Sequence, residues 1–263
     1  MDSTPLTTKR VTLFTTFSDN PEAYSRNRIV QGQLRMLLDN GYEPQVIVAE
    51  SFEASGIYAD KKIKIVKIPN VPVHNEVKKD ESFEADVESL KVALLEILKD
   101  QDIVITHDII YQPACLKHNF AARKIADKLP NLRWLHWIHS ATSPVTLGSL
   151  KTYFEDAYLD TIAKPFPNSF YVFFNDYSVP VIANNFNVPE NIVRVVHNPS
   201  NLQQIFALSD LVWNVVRNKK IYEADAICIY PCRLDRGKQV EMAIKTMAQI
   251  KGLGLSVKMI VLD

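Results

Sequence analysis

The segment SFEADVESLKVALLEILKDQDIVI, residues 82–105, holds the pattern that decides the fold. Its apolar residues recur at spacings of three and four, at Phe83, Val87, Leu90, Leu94 and Ile97. This spacing predicts an amphipathic helix with Ser82 at its N-cap. The run Asp102–Ile105 that follows is rich in β-branched residues and predicts a strand. A helix that leads directly into such a strand is typical of α/β proteins.

The same alternation continues on both sides of this segment. Further strands are predicted at Val11–Phe17, Gln45–Val48, Ile63–Ile68, Leu132–Ile138, Tyr171–Phe174 and Ile192–Val196. Helices are predicted around residues 30–38, from residue 113 to about 128, and at Val179–Asn185. Strands separated by helices imply parallel, right-handed crossovers. The predicted fold is therefore α/β, with an open, doubly wound and mostly parallel sheet of the Rossmann-like kind.

A second unit begins near residue 226. A strand at Ala226–Tyr230, a helix beginning near Val240 and a strand at Val257–Leu262 form one βαβ unit. We predict a Rossmann-like domain in residues 1–200, a connection in residues 201–225, and the start of an incomplete second domain in residues 226–263. Two strands and one helix cannot bury a core of their own. We therefore expect the first ~200 residues to fold and the remainder to be poorly supported.

Composition narrows the class of protein. Lys and Arg number 30 and Asp and Glu number 30, which gives no support to a strongly basic nucleic-acid binder. The three cysteines have no spacing that suits a zinc or redox site, so we predict reduced thiols and no metal centre. The N-terminus lacks a signal-peptide profile, and no apolar run approaches the ~18–20 residues that span a bilayer. A cytoplasmic location is predicted.

The loop after the strand at 226–230 carries the most informative motif. The segment IYPCRLDRGK, residues 229–238, places Arg233 and Lys238 on either side of a predicted helix start. Free backbone N–H groups and the helix dipole favour anions at such a position. Arg offers a planar fork to phosphate oxygens, and Lys offers a mobile charge. The alternative is that both residues are solvated charges on a loop.

This segment resembles the opening of the nucleotide-sugar-binding domain in glycosyltransferase family 4, whose members have the GT-B fold. The first half of the chain is similar to the same family. His139 matches a histidine that approaches the donor sugar, and Asn198 matches the asparagine that precedes the second domain. The resemblance implies that Arg233, Lys238 and Asn198 bind the donor and that His139 is catalytic.

The chain also departs from the family pattern. The family's Gly-Gly loop after the first strand is replaced by residues 18–26, where Ser25 and Arg26 are candidates for equivalent work on the acceptor side. His107 and Asp108, which follow the strand at 102–105, are further acceptor-side candidates. Cys232 stands where the family usually has glycine, and no Glu-x7-Glu element follows the predicted helix near Val240, where the family has it.

The resemblance implies a retaining, metal-independent transfer from a nucleoside-diphosphate sugar, without a cofactor. Family frequency favours a lipid-linked sugar or a polysaccharide as acceptor, with a modified DNA base as the less favoured choice. The predicted helix at 112–128 also bears on the partner, since it carries four basic residues: Lys117, Arg123, Lys124 and Lys128. Such a face could contact anionic lipid at the inner membrane surface, or it could be a solvated face.

Two other interpretations stay open. The chain could be a non-catalytic fragment or scaffold derived from a GT-B enzyme that has lost donor binding, as Cys232 and the missing acidic element suggest. An unrelated Rossmann-type oxidoreductase is disfavoured, because no Gly-x-Gly-x-x-Gly follows the first strand and the chain has only seven glycines. The donor nucleotide and the oligomeric state are left open by the sequence.

Overall fold

A computed structural model describes residues 9–18, 26–69, 81–141, 160, 163–199, 206–232, 234 and 236–262. The chain divides into two units, residues 1–199 and residues 200–263. We call them the first unit and the second unit.

Seven strands form one sheet in the first unit, and all neighbouring strands in it are parallel. They are β1 (Val11–Phe14), β2 (Gln45–Ala49), β3 (Lys64–Ile68), β4 (Ile103–His107), β5 (Arg133–Trp137), β6 (Ser169–Phe173) and β7 (Val193–Val195). Their order across the sheet is β3-β2-β1-β4-β5-β6-β7. The chain builds outward from β1 to β3 and then returns to the other side of β1. The predicted α/β fold with a doubly wound parallel sheet is confirmed.

Helices cover both faces of this sheet: α1 (Asn27–Asp39), α2 (Phe83–Leu98), α3 (Leu116–Ala126) and α4 (Val179–Asn185). Successive strand residues point to opposite faces, so β1 contributes to two separate cores. Leu13 packs in the core that contains apolar residues of α1, and Phe14 packs in the core that contains those of α2, α3 and α4. Both side chains are fully buried.

Two local expectations are corrected at the edges of these helices. The helix predicted from residue 113 to about 128 is a 3-10 turn, Pro113–Cys115, followed by the shorter α3. Ser82 occupies the predicted N-cap of α2, but its Oγ donates to the Asp86 carboxylate at 2.7 Å. The nearby acidic side chain thus takes the hydroxyl that was expected to cap the backbone.

The basic residues of α3 do not form a single outward face. Lys117 is buried and pairs with Asp86 of α2 at 2.7 Å. Arg123 is half-buried over the Phe166 ring, and burial lowers its pKa to about 10. For these two residues both expectations, a solvated face and a lipid contact, are wrong, because packing of α3 against its neighbours encloses them. In the part of the chain that the structure describes, no helix has the length and apolar character to cross a bilayer.

The second unit contains the predicted βαβ arrangement. Helix α5 (Asp210–Asn218) comes first. Strands β8 (Ala226–Pro231) and β9 (Val257–Leu262) are parallel, and helix α6 (Val240–Gly252) joins them. Among its described residues, only three side chains are buried: Val216, Ile221 and Met247.

Candidate functional site

The strand order of the first unit reverses between β1 and β4. The connections from these two strands leave in opposite directions, which opens a crevice at the carboxyl ends of the strands. The residues at this edge are unusually polar for a buried position, since Thr16, His107 and Asp108 are each no more than 5% exposed. Buried polar groups require hydrogen-bond partners. Thr16 and Asp108 find theirs in Arg26, directly before α1, and His107 finds its partners in Gln33 of α1 and in His139.

An ion pair joins the two sides of the crevice. Arg26, directly before α1, donates from Nη1 to Oδ2 of Asp108 at 2.7 Å. Its Nη2 donates to Oγ1 of Thr16 at 3.0 Å, and its guanidinium lies over the Phe17 ring. The pair is largely enclosed, with side chains 15% and 6% exposed. The end of β1, the start of α1 and the end of β4 are thereby held together.

Asp108 is fully engaged. Its backbone has a φ of 63°, a left-handed conformation that Asp adopts more readily than most residues. Its second carboxylate oxygen, Oδ1, accepts from the Tyr111 hydroxyl. Burial and the Asp108 charge both raise the pKa of Tyr111, so its hydroxyl stays protonated and continues to donate.

His139 is held through both its backbone and its ring. Its backbone N–H donates to the Tyr111 hydroxyl at 3.0 Å. Its ring Nε2 lies 3.0 Å from Nδ1 of His107, and the two rings are nearly parallel at 5.3 Å. The other ring nitrogen of His107 lies 2.9 Å from Oε1 of Gln33 in α1. A series of contacts thus runs from Arg26 through Asp108, Tyr111, His139 and His107 to Gln33, across the ends of β4 and β5.

Both histidines of this series are neutral at neutral pH. Burial lowers the pKa of His107 well below its ordinary value, with smaller effects from His139 and Arg26. Burial also lowers the pKa of His139, and the nearby Asp108 carboxylate opposes this only in part. A neutral imidazole donates from one nitrogen and accepts at the other, which suits hydroxyl groups. Among the described residues no group of three His, Cys, Asp or Glu side chains could hold a metal ion.

Asn198 is brought to the same edge of the sheet. Trp137, at the end of β5, donates from Nε1 to Oδ1 of Asn198 at 3.1 Å, and its ring stacks on His107. The next residue, Pro199, contacts α1 at Gly32, where a Cβ atom would lie 2.6 Å from the proline Cγ. A glycine is therefore required at residue 32 for this close approach.

Of the predicted site residues, five therefore meet in the first unit: Arg26, His107, Asp108, His139 and Asn198. Ser25 and Arg233 lie outside the described residues. In the second unit, Lys238 ends a 3-10 turn and is exposed. The Tyr230 hydroxyl donates to the Lys238 backbone carbonyl at 2.5 Å, which ties Lys238 to β8.

Sequence reasoning missed Gln33, Tyr111, Thr16 and Trp137. Gln33 gave a usable signal, because it falls between Val30 and Leu34 on the apolar face of a predicted helix. A polar residue on a buried face needs a partner. The other three gave no signal of their own, since aromatic and β-branched residues are common in and beside strands.

Comparison with known proteins gives structural similarity without sequence similarity. No protein-family model and no curated protein matches the sequence. HepE from Anabaena, solved with UDP and glucose, is similar with a TM-score of 0.47 at 11% identity, over 97% of this chain and 61% of HepE. WaaG, a glycosyltransferase involved in lipopolysaccharide biosynthesis, is similar with a TM-score of 0.45 at 11% identity, over 96% of this chain and 70% of WaaG.

MnaA from S. aureus, solved with UDP, is similar with a TM-score of 0.45 at 13% identity, over 97% of this chain and 62% of MnaA. The chain therefore spans about three fifths of the length of HepE and of MnaA.

Proposed function

We propose that this chain is part of a GT-B glycosyltransferase that moves a sugar from a nucleoside-diphosphate sugar to an acceptor. The observation that carries the proposal is the placement of His139, which follows β5, against His107 at the end of β4, beside the reversal point of a doubly wound sheet. There it is a neutral imidazole, fixed by Tyr111 and His107. A rigid, neutral hydrogen-bonding group at this edge suits an uncharged, hydroxyl-rich ligand.

The remaining roles follow from the charges and from the resemblance to glycosyltransferase family 4. Arg233 and Lys238 would bind the diphosphate and stabilise the negative charge that develops on it as the sugar leaves. Because they supply this charge themselves, the transfer is proposed to be metal-independent and to need no cofactor. Asn198 would bind the donor beside His139.

Retention of configuration is part of the proposal because the resemblance to glycosyltransferase family 4 implies it, and it is not assigned to a carboxylate nucleophile. Two-carboxylate chemistry needs an acidic side chain that is open to the substrate. Among the described residues of this site Asp108 is the acidic one, and both its oxygens are occupied, by Arg26 and by Tyr111. Because Arg26 and Tyr111 occupy both oxygens, we do not propose Asp108 as a nucleophile.

The acceptor is proposed to bind the first unit near Arg26 and Ser25. A lipid-linked sugar or a polysaccharide remains the first choice, and a modified DNA base the second. The enclosure of Lys117 and Arg123 removes two of the four basic residues that supported a membrane contact. A cytoplasmic location stays a prediction.

A thermal-shift panel of UDP-, GDP-, ADP- and dTDP-sugars tests donor binding. A ligand of the folded protein stabilises it by about 2.7 kcal/mol at one hundred times its Kd. We expect one nucleotide class to raise the melting temperature, with the rise lost in Arg233→Ala and reduced in Lys238→Ala. Lys251→Ala, which removes an exposed cation from the other end of α6, is the matched control and should keep the rise.

The alternative, a non-catalytic scaffold without donor binding, predicts no rise with any sugar nucleotide. A rise that survives both Arg233→Ala and Lys238→Ala would place the donor elsewhere and contradict the roles given to these two residues.

A further inference from the structure

Three side chains from distant parts of the chain form a line at the site. Gln33 comes from α1, His107 from the end of β4, and His139 from the segment after β5. Gln33 Oε1 lies 2.9 Å from His107 Nε2, and His107 Nδ1 lies 3.0 Å from His139 Nε2. Gln33 is 3% exposed and His107 is fully buried, so water does not compete for the contact between them. His107 must therefore find its hydrogen-bond partners within the line.

The proton positions in such a line depend on one another. A neutral imidazole carries one N–H, and its second nitrogen can only accept. With the Gln33 amide oriented so that its carbonyl oxygen faces His107, that oxygen can only accept, so the proton of His107 belongs on Nε2. His107 Nδ1 must then accept, which requires that His139 carry its proton on Nε2. The Nδ1 of His139 is left with a lone pair.

We propose that Gln33 and His107 fix the tautomer of His139, so that His139 Nδ1 is a hydrogen-bond acceptor for a hydroxyl group of the ligand. Gln33 and His107 are thus positioning residues that act through His139. In the described part of the chain no group bonds to His139 Nδ1, and the side chain is only half-buried. The second holding contact, from the His139 backbone N–H to Tyr111, keeps the ring from leaving the line.

The lone pair on His139 Nδ1 determines which kind of ligand group this residue can bind. A lone pair on a neutral ring attracts an O–H donor and does not pair with a phosphate or carboxylate oxygen, which can only accept. His139 would therefore bind a sugar hydroxyl rather than the diphosphate. This role rests on the proposed function, whereas the order of protons in the line does not.

Nitrogen-15 NMR of the imidazole rings tests the proton order on the whole chain without ligand. Protonated and unprotonated ring nitrogens of neutral histidine have widely separated shifts. The chain has six histidines, so single His→Asn variants assign the signals. We expect both His107 and His139 to carry the proton on Nε2. A proton on Nδ1 of His139 overturns the proposal.

Gln33→Met tests whether the amide sets this order. It is similar in size but removes both polar atoms, so the tautomers of His107 and His139 should become mixed and their nitrogen shifts should move toward intermediate values. Gln31→Met makes the same change at a half-buried position of α1 and should leave the nitrogen shifts of His107 and His139 unchanged. Unchanged His139 nitrogen shifts in folded Gln33→Met would refute the role of Gln33.

A sugar nucleotide that raises the melting temperature is then added to the labelled protein. A shift of His139 Nδ1 on binding supports its contact with the sugar, and an unmoved Nδ1 in the bound state contradicts it. If no sugar nucleotide binds, the proposed function fails. The proton order is measured without ligand, so that result is tested independently of the proposed function.

Discussion

The two units are built from the same repeat, a strand followed by a helix and a parallel strand, yet they bury apolar side chains to very different extents. In the first unit Leu90 and Leu94 of α2 are fully buried. In the second unit Met242 of α6 is 64% exposed and Ile229 of β8 is 60% exposed. Intrinsic secondary-structure preference is similar in both units. The difference lies in how many strands and helices cover each repeat.

Coverage of the sheet explains the contrast. In the first unit each face of the seven-stranded sheet has helices of its own, so neighbouring residues of one strand, such as Leu13 and Phe14, are buried on opposite faces. In the second unit, Ile227 and Ile229 alternate along β8 with better-covered neighbours and stay exposed. An apolar alternating pattern therefore predicts a strand but does not predict how deeply that strand is buried.

The largest expected effect comes from matched truncations in the two units. Leu90→Ala should lower the free energy of unfolding by about 4 kcal/mol, because it opens a cavity in a fully packed core. Met242→Ala should cost under about 0.5 kcal/mol, because that side chain is mostly in water already. Denaturant titration followed by hydrogen exchange reports each unit separately. Similar losses in the two units would contradict the contrast in packing.

A second pair of variants compares ion pairs. Asp108→Asn keeps the size of the side chain but removes the charge opposite Arg26 in an enclosed site, and should cost about 3 kcal/mol. Glu223→Gln makes the same change in the exposed pair with Lys220, where an effect of about 0–0.5 kcal/mol is expected. Thermal or urea unfolding measures both. Equal effects would mean that the Arg26–Asp108 pair is more hydrated than its burial indicates.

Between about pH 7 and about pH 5, acid should destabilise the first unit more than the second, because the first unit holds all six histidines. Burial, with a smaller effect of Lys117, lowers the pKa of His118 to about 4 from an ordinary 6.5. Between these two values the unfolded chain binds the proton and the folded protein does not, so stability is complete above about pH 6.5 and falls as the pH is lowered. From about pH 7 to about pH 5 this one histidine accounts for a loss of about 2 kcal/mol.

His118→Gln should reduce the acid sensitivity of the first unit, measured by urea unfolding at a series of pH values. His107 and His136 act in the same direction, because burial lowers the pKa of each. All six histidines lie between residues 74 and 197, so the second unit has none. Acid destabilisation that appears first in hydrogen exchange of the second unit would contradict this assignment.

The smallest effect comes from two glycines in helices. Gly32→Ala should cost about 1–2 kcal/mol, because the new methyl group would overlap Pro199 and must displace it. Gly252→Ala, at the end of α6, meets no atom within 4 Å and should be neutral or stabilising by up to about 1 kcal/mol. The melting temperatures of the two variants measure both changes in stability. Loss of the Trp137–Asn198 hydrogen bond in Gly32→Ala would show as a change in Trp137 fluorescence.

Most of the elements could be predicted from the sequence because their patterns are local. The apolar spacing in residues 83–97 and the β-rich runs placed α2 and the strands within a few residues of their observed bounds. The order of the strands could not be predicted, because alternation indicates parallel crossovers without naming neighbours. The sequence also did not predict that Lys117 is buried and Arg123 half-buried, since their partners lie outside α3.

The candidate site shows the same limit. Arg26, Asp108, His107 and His139 were each singled out as residues near strand ends. That Arg26 pairs with Asp108, 82 residues away, depends on β4 lying beside β1. The contact between His107 and His139 similarly depends on β5 lying beside β4. Residue types were visible in the sequence, and their pairing required the sheet order.

The position of β1 between β2 and β4 has a consequence for synthesis of the protein. Strand β4 begins more than 90 residues after the start of β1, and the residues directly before the two strands, Arg10 and Asp102, are hydrogen-bonded across 92 residues. At ribosomal speeds of about 5–20 residues per second, roughly 5–20 seconds pass before that partner is made. During this time one edge of the most buried strand has no partner to pair with. The tempo of translation between residues 14 and 103 should therefore influence how much of the chain folds and how much aggregates.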